Sequence, residues 1–229
     1  MKQNHWGLFV SCDIYIWKNL KNMDKKTITY GLIPSKLDGT EHKANFGAFK
    51  VPDSFSYKEI MPPIRNQGST PTCVCQTLTG MLDVQRNAKN GVVKVCNNFP
   101  IDELYSQRSD KLQDGMSIKE ALSILRHKGL KGEKIDNYAM CGSCEIVKQA
   151  IIANGPVAIG MLAYDNGTDR YWEKKGECVG GHCTMLVGYD KKGFIMRNSW
   201  GTSYGNKGYI TLPFSDFNEY CIECWTITL

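Results

Sequence analysis

The apolar pattern of the chain changes at Pro156. Before that residue, apolar side chains recur at helical spacing in three segments, which predicts helices over residues 71–90, 117–128 and 144–153. After it, short apolar runs separated by turn residues predict strands over residues 157–163, 183–189, 193–197, 208–211 and 221–228. Helices followed by strands predict an α+β protein with two segregated lobes, because a βαβ sheet would require the two patterns to alternate.

Length and composition limit the class of protein. The chain has 229 residues, of which 42% are hydrophobic and 22% charged. These values are typical of a globular protein, and the length suits one large domain or two lobes around a shared cleft. No run of 18 apolar residues occurs, so no transmembrane helix is expected. The net charge is +5, but the sequence contains no dense stripe of Lys and Arg. This favours a surface of mixed charge over a nucleic-acid-binding surface.

Residues 1–50 are predicted to be a leader ahead of the main body. Residues 6–17 are apolar, but Asp13 interrupts them, and the stretch is too short for a signal peptide. We therefore expect a cytoplasmic protein, with secretion or lipid anchoring as alternatives. The apolar side chains of the leader need burial. We expect the leader either to cover the cleft between the lobes or to add a strand to the second lobe, away from the cleft.

Cys73 lies in the first turn of the first predicted helix. Thr70 is expected to cap this helix and Pro71 to be its first residue, where the missing N–H is not needed. Unpaired N–H groups and the positive end of the macrodipole favour the thiolate, which is the nucleophilic form of cysteine. A single cysteine is more often a buried structural residue, so the surrounding groups decide its role.

Gln67, His182 and Asn198 are the groups that a nucleophilic cysteine would need. The amide of Gln67 can loop back and form an oxyanion hole with the backbone N–H of Cys73. His182 begins a predicted strand and can act as the base, and Asn198 can accept a hydrogen bond from its imidazole. Trp200 can cover that hydrogen bond and exclude water from it.

The chain resembles the papain family of cysteine peptidases from about residue 51 to residue 229. The resemblance rests on the chain order of Cys73, His182 and Asn198, on the spacing of Gln67 from Cys73, and on the Asn-Ser-Trp-Gly motif of residues 198–201. It is most similar to the divergent bacterial branch typified by xylellain. The resemblance implies a two-lobed papain-like fold, with a helical lobe over about 68–155, a β-barrel-like lobe over about 156–229, and a cleft between them.

The resemblance also implies a role for each matching residue. Cys73 would be the nucleophile, His182 the general base and acid, Asn198 the residue that orients His182, and Gln67 the oxyanion donor. The implied substrate-binding residues are Gly115, Met116, Val157, Cys183 and Trp200. The implied function is a cysteine endopeptidase that forms a covalent thioester. An acyl-transferring amidase or ligase on the same triad and a catalytically silent binding module are the alternatives.

Two C-x-x-C pairs stand apart from this set, namely Cys141 with Cys144 and Cys221 with Cys224. Four thiolates in such pairs are typical of tetrahedral zinc, but the pairs are expected in different lobes. Plain thiols or disulfides are therefore favoured over a metal site. We expect no metal and no cofactor, a protein or peptide as substrate, no nucleic acid, no stable membrane insertion, and a monomer.

Overall fold

The computed structural model describes residues 30–89, 97 and 99–229. Its helices are α1 (Cys73–Lys89), α2 (Ile101–Ser106), α3 (Ile118–His127), α4 (Cys144–Asn154) and α5 (Phe214–Tyr220). Its strands are β1 (Phe55–Ser56), β2 (Asn137–Met140), β3 (Val157–Asp165), β4 (Glu177–Asp190), β5 (Gly193–Arg197), β6 (Tyr209–Leu212) and β7 (Cys221–Thr228). The α+β class is confirmed. No helix in the described part of the chain is long and apolar enough to span a membrane.

The strands form one sheet in the order β2-β7-β3-β4-β5-β6, and β1 pairs with Gly188 and Tyr189 of β4 on the edge opposite β5. The ladders between these strands are all antiparallel. The long central strand β4 carries His182, which is opposite Met161 of β3. The sheet therefore holds the predicted base on a strand that has neighbours on both sides.

Local signals in the sequence account for where the helices begin and end. Ser117 and Ser143 cap α3 and α4, because each side chain accepts a hydrogen bond from a backbone N–H in the first turn. Gly155, with φ of 110°, ends α4 as expected. Helix α1 begins at Cys73, two residues later than predicted, and Thr72 supplies the carbonyl for its first turn. The predicted stop at Gly91 lies outside the described residues.

Two apolar cores lie in the fold. The first packs α1 against α3, with Leu78, Met81 and Leu122 fully buried. The second lies beneath the sheet and includes Val147 and Ile151 of α4. Helix α4, which lies before the predicted lobe boundary at residue 155, therefore packs with the strands. Helical spacing predicted this helix but contained no information about the core that it joins.

Candidate active site

Cys73 lies at the N-terminus of α1 and is fully buried. Burial raises the pKa of its thiol to about 11, although the backbone N–H groups of Cys183 and Gly31 hydrogen-bond to the sulfur and lower it. The thiol is therefore protonated at neutral pH in this arrangement. The contact with Cys183 places the sulfur beside the backbone of the residue that follows His182.

His182 is fully buried and forms a hydrogen bond with Asn198, with 2.8 Å between Nε2 and Oδ1. The Oδ1 atom also accepts a hydrogen bond from the N–H of Ser199 at 2.7 Å, which identifies it as the carbonyl oxygen and Nε2 of His182 as the donor. Burial lowers the pKa of His182 to about 4, and the Asn198 bond opposes this shift. The neutral ring therefore carries its proton on Nε2. Its Nδ1 atom has no partner among the described residues and can accept a proton.

Aromatic rings surround the imidazole of His182. The Trp200 ring stacks on it, with centroids 4.4 Å apart and planes 20° apart. Tyr171 is edge-on to both rings, at 5.1 Å from His182 and 5.2 Å from Trp200. Trp200 thus lies against one face of the His182 imidazole. Sequence reasoning missed Tyr171, because it follows a turn without a recognisable motif.

Gln67 is hydrogen-bonded to the segment that carries Asn198. Its N–H donates to the carbonyl of Ser199 at 2.8 Å, and the Ser199 hydroxyl donates to Gln67 Oε1 at 2.7 Å. The Gln67 amide nitrogen donates one hydrogen to the Thr70 carbonyl at 2.9 Å. A primary amide has a second hydrogen, which remains for an oxyanion. Ser199 is therefore a positioning residue that the sequence motif contained but the sequence analysis did not single out.

Residues 30–35, which we call the strap, lie as an extended segment in the predicted substrate cleft. On one side, the N–H of Met116 donates to Gly31 at 2.8 Å, and the N–H of Ile33 donates to Met116 at 3.1 Å. On the other side, the N–H of Leu32 donates to Gly181 at 2.9 Å. The strap thus bonds to the segment predicted to bind an extended peptide and to the residue before His182.

The side chain of Leu32 fills a pocket beside the strap and is 3% exposed. A Cβ atom at Gly160 would lie 2.8 Å from the Leu32 side chain and 3.1 Å from Glu223. The buried carboxylate of Glu223 in turn accepts a hydrogen bond from the N–H of Ser35 at 3.0 Å. Gly160 and Glu223 therefore line the pocket and hold the strap in it.

The remaining predicted substrate-binding residues differ in their positions. Gly115 and Met116 are against the strap, and the carbonyl of Gly31 is only 2.6 Å from where a Gly115 Cβ would be. Cys183 is fully buried, and its carbonyl accepts a hydrogen bond from Thr77 at 3.2 Å. Val157 is buried and packs in the second core. Gly160, three residues later on β3, occupies the pocket instead.

Residues 126–224 match the family described as papain family cysteine protease. The chain is 31% identical to cysteine proteinase 3 of Entamoeba histolytica over 205 residues, which cover 75% of this chain and 65% of that protein. It is 25% identical to cathepsin S of Bos taurus over 206 residues, which cover 74% of this chain and 62% of that protein. The chain thus spans a little less than two thirds of the length of these relatives.

Solved structures have the same fold. Xylellain from Xylella fastidiosa matches with a TM-score of 0.74 and 18% identity, covering 90% of this chain and 98% of xylellain. A procathepsin B from Trypanosoma congolense matches with a TM-score of 0.74 and 13% identity, covering 100% of this chain and 98% of that one. The papain-like fold and the resemblance to xylellain are confirmed. The fold, and the sequence of residues 126–224, are thus similar to those of the papain family of cysteine proteases.

Proposed function

We propose that the chain is a cysteine endopeptidase that hydrolyses peptide bonds through a thioester on Cys73. The His182–Asn198 hydrogen bond is the observation that carries the proposal, because it leaves Nδ1 of His182 as an acceptor with no partner among the described residues. The next residue, Cys183, has its backbone beside the Cys73 thiol. The protease names of the relatives support the same reaction. One chain supplies all four groups, so the enzyme would act as a monomer on a protein or peptide.

The proposed reaction begins with transfer of the Cys73 proton to Nδ1 of His182. The thiolate attacks the peptide carbonyl carbon, and the oxyanion accepts hydrogen bonds from the Cys73 N–H and the free amide hydrogen of Gln67. His182 then gives its proton to the leaving amine, and a thioester remains. Water loses a proton to His182 and attacks the thioester. Collapse of the second intermediate releases the acid product and regenerates Cys73.

In this proposal the described arrangement is a latent form of the enzyme, because the strap lies in the substrate cleft. It occupies the backbone partners that an extended substrate would use, and its Gly31 N–H bonds to the Cys73 thiol. Burial keeps both Cys73 and His182 neutral, whereas the reaction needs an ion pair. Withdrawal of the strap would admit water, which would lower the thiol pKa and raise the imidazole pKa. Residues 1–29 of the predicted leader lie outside the described residues.

The test is a peptide library incubated with the full chain carrying Gly31→Ala and read by mass spectrometry, with free amine acceptors present. This substitution should displace the strap, because a Cβ atom at Gly31 would lie 1.9 Å from the carbonyl oxygen of Pro71. The proposal predicts new C-terminal acids from cleaved peptides. Products joined to the added amines would instead indicate acyl transfer, which would overturn hydrolysis as the main reaction. No turnover from a chain whose Cys73 can still be alkylated would indicate a binding module.

A further inference from the structure

The two C-x-x-C pairs come together at one site, contrary to their predicted separation. Cys141 follows β2 and Cys144 begins α4, whereas Cys221 and Cys224 both lie on β7. Three of the four side chains are buried, and Cys144 is the partly exposed one. The proposed peptidase reaction uses none of them.

Strand pairing places Cys141 directly opposite Cys224. The β2–β7 ladder ends with Met140 opposite Trp225, so the next pair along it is Cys141 and Cys224. The N–H of Cys141 donates to the carbonyl of Cys224 at 2.8 Å, which extends the ladder to this pair. Opposite residues on antiparallel strands have Cβ atoms about 4.5–5.5 Å apart, which is near the range that a disulfide spans.

An irregularity in β7 brings a third thiol to the same face. Against β3, Cys224 is opposite Ile159 and Cys221 is opposite Met161, with a register shift between them. Ile159 and Met161 are two positions apart on β3, so their side chains point to the same face of the sheet. Cys224 and Cys221, which are opposite them, therefore also lie on one face. Burial, and then the neighbouring thiols of Cys141 and Cys221, raise the pKa of the Cys224 thiol well above its usual value.

The fourth thiol is directed elsewhere. The sulfur of Cys144 lies 3.5 Å from Oδ1 of Asn218 and 3.9 Å from the carbonyl oxygen of Phe214, both on α5. Within residues 30–89, 97 and 99–229, no group of three or more His, Cys, Asp or Glu side chains is arranged to hold a metal ion. Pairwise thiol contact with the fourth thiol turned away suits a disulfide better than a tetrahedral metal site.

We propose that Cys141 and Cys224 are a redox site, which closes to a disulfide in an oxidising environment and fastens the C-terminal strand to β2. The side chains of Cys141 and Cys224 are 4% and 1% exposed. Such burial hinders attack by a reductant on the folded protein, so the bond forms during folding and then persists. Glu223, which holds Ser35 of the strap, precedes Cys224, so the same bond fixes the anchor of the strap.

Glutathione disulfide can serve as the oxidant. The Cys141 thiolate attacks one of its sulfurs, which breaks the glutathione S–S bond and releases one glutathione thiolate that takes up a proton. The Cys224 thiolate then attacks the Cys141 sulfur of the mixed disulfide and displaces the second glutathione. The protein loses two electrons and two thiol protons, and one glutathione disulfide becomes two glutathione thiols.

The test folds the full chain carrying Cys73→Ala in a glutathione redox buffer. Cleavage after Glu223 separates Cys221 from Cys224 before mass spectrometry of the unreduced peptides. We expect the peptide that begins at Cys224 to be joined to the peptide that contains Cys141. Reduction should lower Tm by roughly 5–15 °C, the range expected for a cross-link that closes a loop of this length.

Three matched variants assign the bond. Cys144→Ala and Cys221→Ala should keep the cross-link, and Cys141→Ala should abolish it. A Cys221–Cys224 or Cys144–Cys221 bond in the unsubstituted site would overturn the proposal, as would free thiols at both positions after oxidation. Zinc that copurifies with the folded chain and protects all four thiols from alkylation would overturn it in favour of a metal site. Mapping of the Cys144→Ala chain decides even if Cys141→Ala does not fold, because Cys141 is then the one cysteine left in the peptide of residues 134–145. A Cys144–Cys224 bond, shown by loss of the cross-link in Cys144→Ala, would also overturn the proposal.

Discussion

Cys73 and Cys75 provide a matched test of the nucleophile at the residue scale. Both thiols are fully buried on α1, but Cys75 faces the sulfur of Met116 at 3.8 Å, away from His182. We expect Cys73→Ala to abolish peptide turnover and Cys75→Ala to retain most of it, with both chains folded by circular dichroism. Loss of turnover in Cys75→Ala but not in Cys73→Ala would mean that Cys75, and not Cys73, is the nucleophile.

Gln67 tests the proposed oxyanion hole. Gln67→Ala should lower kcat by about 10²–10³-fold with little change in KM, because the lost hydrogen bond acts mainly on the transition state. Asn198→Ala should have a milder effect than His182→Ala, because Asn198 only orients the imidazole. Steady-state kinetics with one peptide measures kcat and KM of the three variants and so checks this order of effects. A Gln67 variant that raised KM and left kcat unchanged would mean that its amide binds the ground state.

The candidate catalytic residues can be proposed from the sequence because their spacing and neighbours are local in it. Gln67, Cys73, His182 and Asn198 each lie in a short motif. The residues that contact and position them could not be predicted in the same way. Tyr171 reaches His182 from a turn, and Ser199 fastens Gln67 across 132 positions of sequence. Such contacts depend on how distant segments pack, which no local pattern records.

The strap is the element whose position most affects the reaction, and Gly31 is the residue that tests it. A Cβ atom at Gly31 would lie 1.9 Å from the carbonyl oxygen of Pro71, so Gly31→Ala should displace the strap from the cleft. We expect faster alkylation of Cys73 and faster peptide turnover, with a modest fall in Tm. The exposed Lys50→Ala is the control and should change neither. Slower alkylation in Gly31→Ala would mean that the strap supports the site and does not cover it.

Elements with regular apolar patterns could be predicted, and irregular ones could not. Strands β5 and β7 have the predicted bounds, and the serine caps mark α3 and α4. Strand β2 was missed because its residues are mostly half-exposed and follow no alternation. The register shift in β7 also lies outside any periodic rule, yet it brings the cysteines to one face. The pairs are predicted to lie apart because they are distant in the sequence and one is assigned to the helical lobe and the other to the β-rich lobe.

The stability of the whole molecule should depend on pH through His182. Burial lowers its folded pKa from 6.5 to about 4, so between these values the unfolded chain binds more protons. Stability should therefore be complete above pH 6.5 and fall by about 3 kcal/mol as pH drops toward 4. Urea unfolding at pH 4.5, 5.5 and 6.5 measures this slope. His182→Gln should flatten it, whereas the exposed His127→Gln should leave it unchanged. Equal slopes in all three chains would show that folding does not shift the pKa of His182.

The central claim is that one thiol in a strap-covered cleft performs the reaction. The most direct measurement is alkylation of the full Gly31→Ala chain with an epoxide directed at cysteine peptidases, followed by peptide mapping. The account predicts one adduct, located on Cys73, with loss of peptide turnover in proportion to labelling. The partly exposed Cys144 and Cys178 should remain unlabelled. Labelling of either of these thiols in place of Cys73, or full turnover after Cys73 is labelled, would contradict the account.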